Sequence, residues 1–274
     1  MAAISDSDRD LLPDNKGERT EALQFEIREV DADAPMRWLE KGISDYKEMI
    51  VPSTVMGLVY VIAGMIMMSV AWSYPVFMTT LAAGFLIIGP LVAVGFYNMS
   101  MELEKGNKPD MLTGTMMGWA FMARNALGLC CFAMVLGVLM GVWALVSSVT
   151  VALFFDNLIV GRDFLDTLAK QHNVVPFILT YMLTGLVIAA IAFSISVVAA
   201  PLVTHRRVDF VTAMITSVEA VKINPAPMFT WALMIVALVV VGFLLGFIGL
   251  AVTLPIVGHA SWHAYRDLVA ESQV

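Results

Sequence analysis

Long apolar runs dominate this sequence and decide what it can fold into. The first, VPSTVMGLVYVIAGMIMMSVAW at 51–72, reaches the roughly 20 residues needed to cross a bilayer core of about 30 Å. A single segment that spans a membrane must satisfy its own backbone hydrogen bonds, as an α-helix does. The sequence therefore predicts an all-α, polytopic transmembrane helix bundle. We place six spans in it, at about 51–72, 75–97, 125–148, 174–203, 227–246 and 249–265.

The last apolar region is too long for one simple span. As a single helix, residues 227–259 would be about 50 Å long at about 1.5 Å per residue. We predict instead a turn near Gly246–Gly249. Six spans leave most flanking Lys and Arg residues on one side, with only Arg162 and Lys170 on the other. The positive-inside rule then places both termini in the cytosol.

A short motif also favours paired spans. It occurs as GPLVAVGFY at 89–97, APLVTH at 200–205 and LPIVGH at 254–259, although chance similarity between apolar strings is the alternative. An amphipathic stretch precedes each proposed hairpin, at 36–49, 109–124 and 208–223, and Asp110 and Asp209 are plausible N-caps of the last two. We predict three hairpins, each preceded by an interfacial helix lying in the headgroup plane. These helices form either a lipid-facing collar or a docking surface.

The N-terminal residues differ in composition from the rest. The net charge is −7, and the first 50 residues hold 13 acidic and 7 basic side chains. We predict a largely disordered cytosolic tail at 1–35, not a signal peptide, followed by an integral-membrane domain at 36–274. No basic cluster is larger than Arg206-Arg207, so we expect no nucleic-acid partner.

Several of these segments resemble a known family. WLEKGISDYK, AGFLIIGPLVAVGFYNMSMELEKG, SISVVAAPLV, DFVTAMITSVEAVKINPAPM and PIVGHASWHAYRDLV are similar to the bacterial integral-membrane family called domain of unknown function 2189. The resemblance implies a multi-pass protein of the bacterial inner membrane and no established reaction. Some relatives carry a label linking them to cytochrome oxidase subunit I. This chain, with four histidines, has too few spans and histidine ligands to be that subunit, but association with a respiratory complex stays open.

Three histidines are the candidate site. His205 and His259 each follow a motif proline by four residues, and His263 follows His259 by one helical turn. Together they could supply nitrogens to a metal, with an oxygen from Asp209, Asp267 or Glu102, or they could bind a haem. A proton-linked role is a further alternative. In the structural alternative, His259 and His263 hydrogen-bond across the bundle, and Arg266 and Asp267 pair with neighbouring helix ends. The sequence thus selects no cofactor and leaves a metal or a haem as alternatives.

The sequence favours a non-enzymatic role. It holds no P-loop, HExxH or paired intramembrane carboxylates, and the centres of the spans lack charged residues, which disfavours an ion-coupled transporter. We predict an inner-membrane accessory or scaffold protein, such as a subunit or assembly factor associated with a larger, respiratory membrane complex. Its expected partners are the lipid bilayer and another membrane protein complex or a second copy. The alternatives are a metal- or haem-handling protein and a small-solute transporter.

Overall fold

A computed structural model describes residues 25–72, 89–107, 126–155, 173–206 and 208–270. These residues are almost entirely helical, which confirms the all-α prediction, and their β-structure is one isolated bridge. The main helices are α1 (Ala34–Glu48), α2 (Ile50–Trp72), α3 (Val94–Glu104), α4 (Ala126–Phe154), α5 (Val174–Ser196), α6 (Ala199–Arg206), α7 (Phe210–Ile223), α8 (Pro225–Leu244) and α9 (Leu250–Leu268).

Three stretches of the described chain are long and apolar enough to cross a membrane. They are α4, the 33-residue stretch Val174–Arg206 that contains α5 and α6, and α8. A fourth candidate is the pair α1 and α2, which meet at an angle of 102°. The predicted spans at 125–148, 174–203 and 227–246 match the first three closely. Most of the predicted span at 75–97 lies outside the described residues, and the full set of six stays a prediction.

The chain turns at residues 245–249, between α8 and α9. Gly246 and Phe247 have φ angles of 68° and 67°, in the left-handed region that ends a helix and that a side chain makes costly. The two helices pack on each other after the turn, with Gly242 of α8 against Leu250 and Thr253 of α9. Residues 227–265 therefore form two helices and not one, as the sequence predicts.

Helix α9 is the centre of the described structure. It packs against α1, α2, α3 and α8, and small residues let the backbones approach closely. A Cβ added at Gly42 of α1 would lie 2.6 Å from Ala260, and one at Gly57 of α2 would lie 2.5 Å from the carbonyl oxygen of Ala251. Such close approach increases van der Waals contact between helices, which is what holds them together in lipid.

The outward faces of the long helices are apolar. Side chains along α4, α5 and α8 are exposed at helical spacing, as lipid-facing residues are in a membrane protein. The most exposed include Leu127, Met134, Val138, Leu145, Leu153, Leu179, Leu183, Leu186, Phe229 and Leu244.

Helix α1 differs from the predicted interfacial helix. Its apolar side packs on the protein, because Trp38 and Tyr46 are buried and the helix contacts α9, so lipid is not what covers that side, whereas the position of α1 in the headgroup plane stays a prediction. Its outward side is charged and includes Glu40, Lys41 and Lys47. Helix α7, in contrast, exposes Val211 and Ile215, in keeping with an interfacial position. The amphipathic stretch at 109–124, with Asp110, lies outside the described residues.

The segment before α1 is docked on the body of the protein. Phe25 is buried, and Ile27 forms an antiparallel bridge with Val269 after α9. The predicted disordered tail at 1–35 is therefore too long, because residues 25–33 have a defined conformation at the surface of the bundle. Residues 1–24 lie outside the described part. Residues 27 and 269 therefore lie at the same end of the described bundle, whereas the number of spans between them stays a prediction.

Candidate functional site

His259 lies at the centre of a chain of polar side chains. It is fully buried on α9, its Nε2 is 2.9 Å from the hydroxyl oxygen of Ser53 on α2, and its Nδ1 is 2.8 Å from that of Ser100 on α3. Ser100 in turn donates to Oδ2 of Asp45 on α1 at 2.6 Å. We call Ser53, His259, Ser100, Asp45 and His263 the polar chain. It connects α9 to three helices, α1, α2 and α3, whose contacting residues lie 159 to 218 positions earlier in the sequence.

The partners fix the tautomer of His259. An ionised carboxylate only accepts hydrogen bonds, so the single hydroxyl proton of Ser100 goes to Asp45. The Nδ1 of His259 must then be the protonated nitrogen and donate to Ser100. Nε2 is left as the acceptor and receives the hydroxyl proton of Ser53. Every buried polar atom of His259 is thus satisfied while the ring is neutral.

His263 closes the polar chain at its more exposed end. Its Nε2 lies 2.8 Å from Oδ2 of Asp45, and both side chains keep a little contact with solvent. Burial alone would raise the pKa of Asp45, but the hydrogen bonds from His263 and Ser100 outweigh it, and the pKa is lowered from its ordinary value. Asp45 is therefore a carboxylate at neutral pH and ties α1 to α3 and α9.

The third candidate histidine has a different setting. Nδ1 of His205 lies 2.8 Å from the hydroxyl of Tyr265, and its ring packs edge-on against Trp262 at 5.2 Å. The structure thus joins His259 and His263 through the polar chain, whereas His205 contacts another side of α9. In the part of the chain that is described, no group of three or more His, Cys, Asp or Glu side chains is arranged to hold a metal ion.

The remaining predicted site residues are engaged within the protein. Asp267 accepts a hydrogen bond of 2.9 Å from Nε1 of Trp38, and Arg266 pairs with Glu104 at 3.2 Å. Asp209 caps α7 by accepting from the backbone of Thr212, as predicted, and the hydroxyl and backbone of Thr212 lower its pKa.

Glu102 accepts from Lys105 and Asn107. None of these contacts gathers the carboxylates around the histidines. The metal or haem site stays a prediction that this geometry does not support.

The polar chain has the order hydroxyl, imidazole, hydroxyl, carboxylate, which is similar to that of a nucleophile, a base and an orienting acid. Ser53 and His259 are both 0% exposed, however, so an acyl substrate has no access to the Ser53 oxygen in this conformation. The arrangement fits a packing role better than a catalytic one.

Three members of the polar chain were not among the predicted site residues. Asp45 is one of several charges on an amphipathic helix, and Ser53 and Ser100 are hydroxyl residues that match no motif, at opposite ends of a long, mostly apolar stretch. Only the position of Asp45 could have indicated its role. It lies between the apolar residues Ile43 and Tyr46, and therefore at the edge of the apolar face of the helix.

Comparison with known proteins supports the membrane assignment. Residues 77–205 match a family model described as a predicted integral membrane protein, domain of unknown function 2189. The match runs from the predicted second span to the end of α6. No curated protein and no solved structure matches the chain.

Proposed function

We propose that this protein, whose residues 77–205 match the model of a predicted integral membrane protein family, domain of unknown function 2189, is a non-enzymatic accessory or scaffold protein of the membrane. In this role it binds another membrane protein through the outward face of α4. The partner is a larger membrane complex, such as a respiratory one.

The observation that carries this proposal is a pair of outward-facing glycines on α4. Gly137 and Gly141 are four residues apart and exposed, and among the described residues a Cβ at either position would meet nothing within 4 Å. This is the GxxxG spacing at which membrane helices approach one another closely.

Other glycines of the same protein are used in this way internally. Gly57 of α2 contacts the backbone of α9, and Gly242 of α8 contacts Leu250 and Thr253. The α4 pair has the same chemistry and faces away from the described part of the bundle, which leaves it available to a helix of another protein. Its neighbours Met134 and Val138 are 64% and 69% exposed and would flank such a helix.

The polar chain also supports a role without catalysis. Its nitrogen and oxygen atoms bind one another across α1, α2, α3 and α9, and its imidazole His259 is sealed from solvent. The surfaces left for interaction in the described structure are the apolar outward faces of the spans and the charged side of α1.

The test is native mass spectrometry of the protein released gently from its membrane. We expect a stoichiometric complex with another membrane protein that is lost in the double variant Gly137→Leu/Gly141→Leu. Both positions are open among the described residues, so we expect these side chains to leave the described fold intact. Val149→Phe is the matched control, because it adds bulk to an exposed position of the same helix away from the glycine pair.

Two outcomes would overturn the proposal. One is a complex that survives the double glycine variant, and the other is a protein that leaves its membrane as a monomer. A complex with a second copy would keep the α4 interface and replace the heterologous partner. A monomer that carries a metal lost in His263→Ala would instead establish the metal-handling alternative.

A further inference from the structure

Residues 25–30, FEIREV, lie in an extended conformation across the end of the bundle. Phe25 is buried and Ile27 and Val30 are partly buried against the main core, while Glu26, Arg28 and Glu29 are exposed. The inward side chains thus occupy the first, third and sixth positions of the segment. This is the pattern of a strand laid on an apolar surface, with a break in the alternation near its end.

The end of α9 provides main-chain hydrogen bonds to this segment. The backbone nitrogen of Arg28 donates to the carbonyl of Leu268 at 2.8 Å, and that of Ala270 donates to the carbonyl of Glu26 at 3.0 Å. This is antiparallel strand pairing of the kind by which many proteins bind extended peptides.

Asn224, between α7 and α8, provides the second set of contacts. Its side-chain oxygen accepts from the backbone nitrogen of Val30 at 2.8 Å, and its side-chain nitrogen donates to the carbonyl of Arg28 at 3.0 Å. Asn224 is buried, so its amide needs such partners. It binds the backbone of the segment and makes no contact that depends on which side chains the segment carries.

Arg206 at the end of α6 completes the surface. Its guanidinium lies 5.3 Å from the centre of the Phe25 ring, in a cation–π position, and it donates to the carbonyl of Ala270 at 3.2 Å. We call Arg206, Asn224 and residues 268–270 the segment site.

We propose that the segment site is a binding site for an extended peptide with an aromatic residue followed by aliphatic residues two and five positions later, and that it accepts the FEIREV segment of a second copy of this chain. The segment is held by four hydrogen bonds to its backbone and three apolar anchors, and all of these are available to an identical segment from outside. In the described structure the site is filled by the chain's own segment, which is joined to α1 through residues 31–33.

The short connection explains why the protein's own segment occupies the site. A short flexible linker gives a tethered ligand an effective concentration of the order of millimolar. A segment from a second copy therefore competes only when the two proteins are held together, as they are when crowded in one membrane. The contact does not involve α4, so it is independent of the proposed scaffold interface.

A labelled peptide of residues 22–33 tests the site in the full-length protein in lipid nanodiscs. The variant Phe25→Ala/Ile27→Ala should empty the site. We expect it to bind the peptide at least about ten-fold more tightly than the wild type, whose own segment competes, and ten-fold is about 1.4 kcal/mol. Adding Asn224→Ala, or placing Phe25→Ala in the peptide, should remove that gain. Equal binding by the emptied and wild-type proteins would overturn the proposal.

A second version of this experiment keeps the native FEIREV segment in the segment site while the protein folds. A protease site is introduced at residues 31–33 and cut after purification, so that the bundle forms before the tether is removed. We expect the cut segment to stay bound and to be displaced by excess peptide, but not by the peptide carrying Phe25→Ala. If the cut segment cannot be displaced, it is an integral part of the fold and the site does not exchange its occupant.

Discussion

Removing the carboxylate of Asp45 should destabilise the protein, because this side chain connects three helices. Its Oδ2 accepts hydrogen bonds from Ser100 at 2.6 Å and from His263 at 2.8 Å. Asp45→Ala leaves both donors without their acceptor, and Ser100 then loses the partner that orders its contact with His259.

The size of the effect follows from the number and type of these contacts. A hydrogen bond to a charged group contributes about 1.5–3 kcal/mol. Asp45 is mostly buried, but it and His263 keep some contact with solvent, which weakens their interaction. We therefore use the lower end of this range for each of the two hydrogen bonds. We therefore expect Asp45→Ala to lower the free energy of unfolding by about 3 kcal/mol. Asp45→Asn keeps an acceptor oxygen without the charge and should lose roughly half as much.

The assay is reversible unfolding in mixed micelles, with SDS as the denaturant and near-ultraviolet circular dichroism as the readout. Glu40→Ala is the matched control, because Glu40 is an exposed carboxylate on the same helix. If Asp45→Ala costs no more than Glu40→Ala, the polar chain does not stabilise the bundle and the assignment of its role is wrong.

The same variants test the pH dependence. The pKa of Asp45 is lowered in the folded protein, so its contribution is present above the ordinary carboxyl pKa of 3.8 and is lost as the pH falls through the folded value. Wild-type stability should fall in that acidic window, and Asp45→Asn should lack this component. An identical acid profile in Asp45→Asn would contradict the reasoning.

Two further predictions concern close packing and topology. Gly57→Ala places a methyl group 2.5 Å from the backbone oxygen of Ala251 and should lower the free energy of unfolding by about 1–3 kcal/mol in the same assay. Gly64→Ala is the control, because its methyl group meets nothing within 4 Å among the described residues, and it should be neutral or slightly stabilising. Equal losses of stability in the two variants would refute the close approach of α2 and α9. Single cysteines introduced as Glu29→Cys and Ser272→Cys should be labelled by an impermeant reagent from the same side of the membrane, because residues 27 and 269 pair, and labelling from opposite sides would exclude that pairing.

The helical architecture could be predicted from the sequence because bilayer physics acts along the chain. Apolar runs of sufficient length define α4, Val174–Arg206 and α8 without knowledge of any neighbour. The turn at Gly246 could also be predicted, since the run was too long for one span and contained residues that tolerate a positive φ.

The surroundings of α1 could not be predicted in the same way. An amphipathic pattern shows that one face is apolar, but both lipid headgroups and a neighbouring helix can cover such a face. The structure covers Trp38 with α9, whose sequence lies more than two hundred residues away. The choice depends on tertiary packing, which local periodicity does not record.

Only part of the candidate site could be predicted, again because tertiary packing is not recorded in the local sequence pattern. His259 and His263 were identified as neighbours because both lie on one helix at a spacing of four residues. Their partners Asp45, Ser53 and Ser100 lie on three other helices, up to 218 positions away, and become visible only once the rotation of α9 is known. The alternation in FEIREV was present in the sequence but lay beside an acidic stretch that dominated the composition.

The contacts of α9 also set an order for the protein's biogenesis. During synthesis α9 emerges after every other described helix, yet it covers Trp38 of α1, and Val269 directly after it pairs with Ile27. We therefore expect the face of α1 that carries Trp38 to stay without its partner helix until α9 has been inserted. We expect a chain that ends before residue 250 to lack the contacts of α9 with α1, α2, α3 and α8.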